Sequence, residues 1–171
     1  EWMPQTSKNE NTIQFNYFMG DQLINIKYRD GRKNFKLYKG AEKVFYNINS
    51  VVGYDWCVVV EGEMDVLALH EAGIKNAISV PNGATLNTNN LDYLDNCIDY
   101  LDDKTKIILA VDADAAGQAL RTEFIRRLGA EVCYLVDFNG QKDANEYLVE
   151  NGCEALRNAI HASTQVPLEG V

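Results

Sequence analysis

The chain has 171 residues, of which 46% are hydrophobic, and a formal net charge of −9. This composition suits one folded domain and argues against disorder, and no apolar run approaches the roughly 20 residues needed to span a membrane. The charge is uneven, because residues 1–50 carry eight Lys/Arg and five Asp/Glu whereas residues 51–171 carry eight and twenty. An acidic body of this kind either serves solubility or meets a polyanion through bridging divalent cations.

The N-terminal part has the alternating pattern of β-strands. Hydrophobic and polar residues alternate between residues 13 and 46, and turn signals at residues 19–22 and 30–31 divide the run into three. Short alternating runs separated by such turns are typical of antiparallel hairpins. The sequence therefore predicts a small antiparallel β meander within residues 1–50.

Four basic residues of this meander are candidates for contact with phosphate. Alternation predicts that Lys27, Arg29 and Lys36 lie on one polar face, with Lys33 near the turn. Such a row of cations is either a solvated strand face or a surface for a polyanion. The alternation alone leaves both interpretations open.

Apolar strands alternate with helices from residue 51 onward. Strands are predicted at 56–60, 75–80, 107–111 and 131–136, and helices at 63–72, 90–101, 115–128, 143–150 and 154–161. Glycines at 73 and 129 follow two of the helices, as is common at helix ends. Strands joined through helices make right-handed crossovers and form parallel sheets. We therefore expect the α/β class, with a four-stranded, mostly parallel sheet over residues 51–163 and a linker tail at 164–171.

The four cysteines lie far apart and form no C-x-x-C pair. The sequence therefore argues against a zinc ribbon inside this chain, and it favours reduced thiols and a cytoplasmic location. The N-terminus has no basic segment followed by an apolar one, so a signal peptide is not predicted. Its abrupt start leads us to expect part of a longer protein.

Acidic residues follow the predicted strands at the edge where ligand sites of such sheets gather. Glu61 follows the first strand, Asp112 and Asp114 follow the third, and Asp143 lies beyond the fourth. Two carboxylates 4 Å apart repel by about 4 kcal/mol at an effective dielectric near 20. Such a cluster persists only with a bound cation or with retained protons. Oxygen ligands without histidine or cysteine favour Mg²⁺ or Mn²⁺ over zinc.

Most of these acids also have an ordinary structural role open to them. Asp112, Asp114 and Asp143 stand where aspartates cap helices, and Glu63 stands where an acid complements a helix dipole. Glu61 has no such role, because it precedes its helix. The co-location of these acids favours a functional site over a set of independent caps.

These residues resemble the Toprim pattern shared by DnaG-type primases, type IA and II topoisomerases and some nucleases. The pattern is Glu-Gly after one strand and Asp-x-Asp after a later one. The three motifs are most similar to those of phage primase–helicases and the related Twinkle-like proteins, and they read EGEMD at 61–65, DADAAG at 112–117 and KDANE at 142–146. The stretch VPNGA at 80–84 and the basic segment before residue 40 extend the likeness. The resemblance covers about residues 51–150 and implies a Toprim, Rossmann-like fold.

The resemblance implies metal-dependent synthesis of RNA primers on single-stranded DNA from NTPs. It implies that the catalytic residues are Glu61, Asp112 and Asp114, and that the metal ligands are these three and Asp143. Supporting roles behind the ligands fall to Glu63 and Asp65. Contact with nucleotide or DNA is implied for Lys27, Arg29, Lys33, Lys36, Lys142 and Gly83.

Primases of this kind carry a zinc-binding domain ahead of the core, and the phage and Twinkle-like proteins carry a helicase behind it. The chain has no zinc ribbon and no G-x-x-x-x-G-K-[ST] loop, so both domains are expected as partners in the full-length protein. Two other functions stay open. One is strand cleavage by a Toprim nuclease or topoisomerase, and the other is a non-catalytic module that binds metal and DNA.

Overall fold

The structure is a computed structural model that describes residues 1–83 and 91–168. Its N-terminal strands form a two-stranded hairpin and a three-stranded antiparallel sheet, in the order β1 (Trp2–Met3), β2 (Lys8–Asn9), β3 (Thr12–Met19), β4 (Gln22–Asp30) and β5 (Phe35–Leu37). The strands of the central sheet are β6 (Trp56–Val60), β7 (Ala77–Ser79), β8 (Lys106–Leu109), β9 (Cys133–Leu135) and β10 (Thr164–Gln165). The predicted meander is present as β3–β5.

Helices cover the central sheet on both faces. They are α1 (Glu63–Glu71), α2 (Asp92–Asn96), α3 (Ile98–Leu101), α4 (Ala115–Leu128), α5 (Ala144–Asn151) and α6 (Cys153–His161). The predicted helix at 90–101 begins outside the described residues, and its described part is two short helices that meet at Cys97. Gly73 and Gly129 have φ angles of 89° and 96°, a region that favours glycine. No helix of the described ranges is long and apolar enough to cross a membrane.

The central sheet has the strand order β10-β9-β8-β6-β7. The pairs β9-β8, β8-β6 and β6-β7 are parallel, and β10 runs antiparallel to β9. This arrangement confirms the predicted α/β fold class with a mostly parallel sheet and a small antiparallel sheet before it. Because the chain leaves β6 for β7 on one side and later returns to β8 on the other, the ends of β6 and β8 meet where the strand order reverses, which is where such sheets bind ligands.

Residues 164–165 correct the predicted linker tail. They form β10, whose register pairs Thr164 with Leu135 and Gln165 with Tyr134, and the N–H of Val166 donates to the carbonyl of Cys133. A two-residue polar strand has no hydrophobic period, so the sequence pattern did not reveal it. Residues 169–171 lie outside the described part of the chain.

The antiparallel sheet shares one core with the central sheet. Phe15 and Tyr17 of β3 are buried in the same cluster as Phe45, Val59 of β6 and Phe124 of α4. A second cluster lies on the other face of the central sheet, under α1, α5 and α6. The predicted division at residue 50 therefore does not separate two independent cores.

The buried face of β4 is its polar face. Asn25 and Lys27 are 3% and 6% exposed, whereas Ile24, Ile26 and Tyr28 are partly exposed. Burial of polar groups is costly unless they are hydrogen-bonded. The polar face of this strand therefore needs partners inside the protein.

The prediction that Lys27, Arg29 and Lys36 lie on one face is wrong for Lys36. In the β4–β5 register Lys36 pairs with Tyr28, while Arg29 pairs with Phe35, and directly opposed residues lie on the same face of a sheet. Lys36 thus lies on the opposite face from Lys27 and Arg29. The length of the connecting turn sets this register, and alternation along one strand does not determine it.

Candidate metal centre

The site begins where β6 and β8 end side by side. Glu61 follows β6 and Asp112 lies beyond β8, and the backbone N–H of Asp112 donates a hydrogen bond to Oε2 of Glu61. Gly117 of α4 packs against this junction. A Cβ at position 117 would lie 2.0 Å from the carbonyl oxygen of Asp112 and 3.0 Å from Oε2 of Glu61. Only glycine lets the helix approach the strand end so closely.

Three carboxylates from three separate elements converge at this edge. Asp65 lies in the first turn of α1, Asp112 lies beyond β8, and Asp143 is the N-cap of α5. One carboxylate oxygen from each lies within 4.8 Å of the other two. A convergence of this kind is the one expected from the ends of parallel strands and the helices that follow them.

Backbone N–H groups orient two of these carboxylates. The N–H of Asn145 donates to Oδ1 of Asp65 at 2.9 Å, which ties α1 to the start of α5. The N–H of Glu146 donates to Oδ1 of Asp143 at 2.9 Å, in the usual N-cap geometry. Both bonds hold the carboxylates in place before any ligand binds.

Mutual repulsion perturbs the ionisation of the cluster. Burial, followed by the charges of Asp143 and Glu61, raises the pKa of Asp65 to about 7. Burial and the charges of Glu61, Asp65 and Asp143 also raise the pKa of Asp112. Without a cation, the cluster therefore holds protons that free aspartates would release at neutral pH.

The donor set fits a hard divalent cation. All three candidate ligands are carboxylate oxygens, the donors that Mg²⁺ and Mn²⁺ prefer. The four cysteines are free thiols, and neither cysteine nor histidine belongs to the group of potential ligand atoms. A bound cation would offset the repulsion that raises the pKa values of Asp65 and Asp112.

The sequence predicted Asp114 as a metal ligand and Asp65 as a supporting residue. The structure instead brings Asp65 to the converging carboxylates and leaves Asp114 outside them. Asp114 caps α4, accepts the N–H of Gly117 at 2.8 Å, and is exposed, and it is not part of the group of converging oxygens. Asp65, predicted as a support, belongs to that group instead. At Gly62, a Cβ would stand 3.3 Å from Oδ2 of Asp65, so the small residue leaves room for this carboxylate.

Lys142 is the cation beside the cluster. Its Nζ lies 3.9 Å from Oδ2 of Asp112, and the side chain is 57% exposed. An exposed pair at this distance contributes little to stability. The ammonium is therefore available to an anionic ligand that approaches the same edge.

A crevice of about 290 Å³ separates the antiparallel sheet from the site. It is lined by Lys27, Phe35, Leu37, Glu61, Gly62, Glu63, Pro81, Asn82 and Gly83. Gly83 is exposed, and a Cβ there would meet no atom within 4 Å, so close packing inside the described chain does not require glycine at this position. Ala84 and Thr85 of the same predicted loop lie outside the described residues.

The predicted basic residues do not form one surface at this crevice, because each has a different environment. Lys27 is buried and pairs with Glu63 at 2.8 Å, whereas Arg29 lies over the Phe35 ring, with 5.7 Å between the guanidinium carbon and the ring centroid. Lys33 is exposed in the turn with a φ angle of 64°. Lys36 points away and bonds to Glu1 and to the carbonyl of Trp2.

Sequence patterns missed two residues of this region. Tyr17 is fully buried in β3 and donates its hydroxyl hydrogen to Glu63, but a tyrosine in an alternating strand carries no signal of such a bond. Gly117 is the last residue of the DADAAG motif, so its spacing from Asp112 along the chain was the signal that could have identified it.

Residues 58–148, more than half of the chain, match the profile of a protein family described as Toprim-like. The chain belongs to this family. Its Toprim domain therefore includes the ends of β6 and β8 and the starts of α1, α4 and α5.

The relatives of this Toprim protein include primases. It is 35% identical to a "Primase homolog protein" of Arabidopsis thaliana over 98% of this chain and 55% of the relative. It is 33% identical to a "Twinkle homolog protein, chloroplastic/mitochondrial" of the same plant, over 95% of this chain and 25% of the relative. The chain thus spans about half or less of the length of these curated relatives.

Solved structures of primase cores share the fold. The primase fragment of the bacteriophage T7 primase-helicase protein superposes with a TM-score of 0.74 at 24% identity, over 86% of this chain and 61% of that one. The RNA polymerase domain of Mycobacterium tuberculosis primase DnaG gives a TM-score of 0.71 at 17% identity, over 94% and 58%. At these identities the likeness concerns the fold alone.

Proposed function

We propose that this Toprim domain is the catalytic core of a DNA primase, which joins ribonucleotides into RNA primers on single-stranded DNA. The convergence of Asp65, Asp112 and Asp143 beside Glu61 carries the proposal. Glu61 also lines the crevice beside the antiparallel sheet. The similarity to primase homologues favours primer synthesis among the reactions of Toprim enzymes.

In the proposed reaction a 3′-hydroxyl attacks the α-phosphate of an NTP and pyrophosphate leaves. Asp65, Asp112 and Asp143 would hold Mg²⁺ or Mn²⁺, with Asp114 at the rim contributing through water. Bound there, the cation supplies charge stabilisation for the attacking and leaving oxygens. Glu61, bonded to the backbone of Asp112, serves either as a further ligand or as the proton-transfer group. The carboxylates are positioned in advance, which is the protein's main contribution to phosphoryl transfer.

The crevice and its rim are the proposed site for nucleotide and template. Lys142 beside Asp112, and Arg29 and Lys33 on the antiparallel sheet, would contact phosphates. Gly83 would let the chain backbone approach the bound nucleotide. Lys27 has a different role, because its ammonium is buried against Glu63.

The whole protein is proposed to act with domains beyond this chain. A zinc-binding template reader and a helicase are the proposed partners, in a cytoplasmic setting. In related structures, T7 primase domains are bound to an RNA/DNA hybrid and a mycobacterial primase domain is in complex with DNA. These relatives make single-stranded DNA and NTPs the first substrates to test.

The test is a primer-extension assay with single-stranded DNA, a short RNA primer, NTPs and Mg²⁺ or Mn²⁺. A denaturing gel that resolves primer and template reports both possible reactions at once. The proposal expects an extended primer that disappears in Asp112→Asn and Glu61→Gln. Asp99→Asn is the matched control, because Asp99 is exposed on α3 at the opposite end of the sheet.

The other outcomes separate the alternatives. A shortened template without an extended primer would replace the proposal with a nuclease or topoisomerase activity. If neither strand changes while Asp112→Asn still lowers Mg²⁺ affinity, the domain is a non-catalytic module that binds metal. Unchanged extension in Asp112→Asn would refute the assignment of the metal site itself.

A further inference from the structure

A buried network connects the antiparallel sheet with the Toprim domain beside the crevice. The Tyr17 hydroxyl donates to Oε1 of Glu63, and Nζ of Lys27 lies 2.8 Å from the same oxygen. Lys27 also donates to the carbonyl oxygen of Pro81 at 2.9 Å. One carboxylate oxygen of α1 therefore joins β3 and β4, and Lys27 extends the link to the segment that follows β7.

All the side chains of this network are withdrawn from water. Tyr17, Lys27 and Glu63 are 0%, 6% and 3% exposed. Burial and the adjacent Glu63 charge raise the pKa of the tyrosine far above its usual value, so Tyr17 stays a neutral donor. A buried ion pair is strongly destabilised when one member loses its partners. The geometry therefore constrains Lys27 far more tightly than an exposed lysine would be constrained.

The network ends on the wall of the crevice. Lys27, Glu63 and Pro81 all line it, next to Glu61 and Gly83. An ammonium has three N–H donors, and two of those of Lys27 are used by Glu63 and by the Pro81 carbonyl. The lysine thus holds the backbone of the crevice wall, and its own position depends on the carboxylate to which Tyr17 is bonded.

We propose that Tyr17 is a positioning residue for nucleotide binding: through Glu63 it holds Lys27, and through Lys27 it holds the backbone from Pro81 to Gly83. The part that concerns nucleotide rests on the proposed primase function. Tyr17 touches neither the carboxylate cluster nor the crevice. Its effect passes through two other side chains.

Tyr17→Phe is the sharpest test, because it removes one hydroxyl and keeps the ring in the core. We expect faster amide hydrogen exchange at Val80, whose N–H precedes Pro81 and donates to the carbonyl of Val60 at 3.1 Å, by about fivefold, the effect of losing a single hydrogen bond. The dissociation constant for MgATP or MgGTP and the KM for NTP should rise by a similar factor, about fivefold, with kcat unchanged. Both amide exchange by NMR and nucleotide binding without template are measured on the same preparation.

Tyr46→Phe is the matched control. Tyr46 lies beside Tyr17, with ring centroids 5.3 Å apart, but the hydrogen bond to Glu63 comes from Tyr17. The control variant should leave exchange at Val80 and the nucleotide affinity unchanged. Lys27→Met allows a double-mutant cycle. Because Tyr17 acts through Lys27, adding Tyr17→Phe to Lys27→Met should cause little further loss of nucleotide affinity.

The two readouts separate the two proposals. Unchanged amide exchange at Val80 in Tyr17→Phe overturns the positioning role, whatever the enzyme assay gives. Faster exchange with unchanged nucleotide affinity overturns its link to nucleotide binding. Wild-type protein that extends no primer would count against the primase function alone, and the exchange data would still decide whether Tyr17 positions the crevice wall.

Discussion

The backbone N–H of Asp112 donates a hydrogen bond to the carboxylate of Glu61, and this bond joins the ends of two adjacent parallel strands. Glu61 thus contributes a structural hydrogen bond to the site as well as a negative charge. Substitutions at this position separate the two contributions, because glutamine keeps an oxygen acceptor and alanine does not.

We expect Glu61→Gln to fold with a melting temperature near that of the wild type and to bind Mg²⁺ at least about tenfold more weakly. Glu61→Ala should also leave the Asp112 N–H without its acceptor and lose about 1–3 kcal/mol of unfolding free energy. Chemical denaturation and Mg²⁺ titration calorimetry measure the two effects. Equal stability of both variants would show that the hydrogen bond contributes nothing to the fold.

The carboxylate cluster predicts an unusual dependence of stability on pH in metal-free protein. The pKa of Asp65 rises from 3.8 to about 7 on folding, so the folded state binds more protons than the unfolded state between these values. The free energy of unfolding should therefore fall as the pH rises from about 4 to about 7. Because solvent reaches part of the cluster and screens its charges, we expect the free energy of unfolding to fall by about 2 kcal/mol. This loss lowers the melting temperature by roughly 4–8 °C.

Mg²⁺ should reverse this loss, with its largest effect above pH 7, where the carboxylates are ionised. Thermal melts from pH 5 to pH 8, with EDTA or with Mg²⁺, measure both dependences. Asp65→Asn should flatten the profile of the metal-free protein. A melting temperature that rises across this range in EDTA would contradict the repulsion that we describe.

Gly117→Ala should damage the site without touching a candidate ligand. The added Cβ would stand 2.0 Å from the carbonyl oxygen of Asp112, so α4 or the strand end must move, at a cost of about 3 kcal/mol. We expect lower Mg²⁺ affinity together with the loss of stability. Gly31→Ala is the control, because a Cβ there meets no atom within 4 Å, and equal melting temperatures for the two variants would exclude the close approach.

The edge that carries the carboxylates was predictable from sequence. Apolar strands of about five residues that alternate with helices indicate a parallel sheet, and a parallel sheet brings together the strand ends, three of which are followed by acid. The choice between Asp65 and Asp114 was not predictable. It depends on tertiary contacts, because the N–H of Asn145 in α5 donates to Asp65, whereas the carboxylate of Asp114 caps its own helix α4.

The strands of the antiparallel sheet were predictable from sequence, but which of its faces is buried was not. Its β4 strand leaves Ile24 and Ile26 partly exposed, whereas Lys27 is buried. An alternating pattern identifies two faces but assigns the apolar one to the core by default. Glu63 and the Pro81 carbonyl reverse that assignment here, because they give a buried ammonium its partners.

Lys142→Gln should weaken NTP binding by about threefold to fivefold in low salt and have little effect on the melting temperature. Its ammonium is exposed and lies 3.9 Å from Asp112, so it contributes through long-range attraction that salt screens. The KM for NTP at two ionic strengths tests this role. Lys75→Gln serves as the control, since Lys75 is exposed before β7 at the other end of the sheet, and the same KM in both variants would remove Lys142 from the site.

The two-residue strand β10 has a consequence for the solution behaviour of the domain. It covers the outer backbone edge of β9, with Gln165 opposite Tyr134. A protein truncated after residue 163 would present that edge as a template for strands of other molecules. Such a truncation should increase self-association, which light scattering measures. If it does, the two polar residues of β10 keep the edge of β9 from pairing with other molecules.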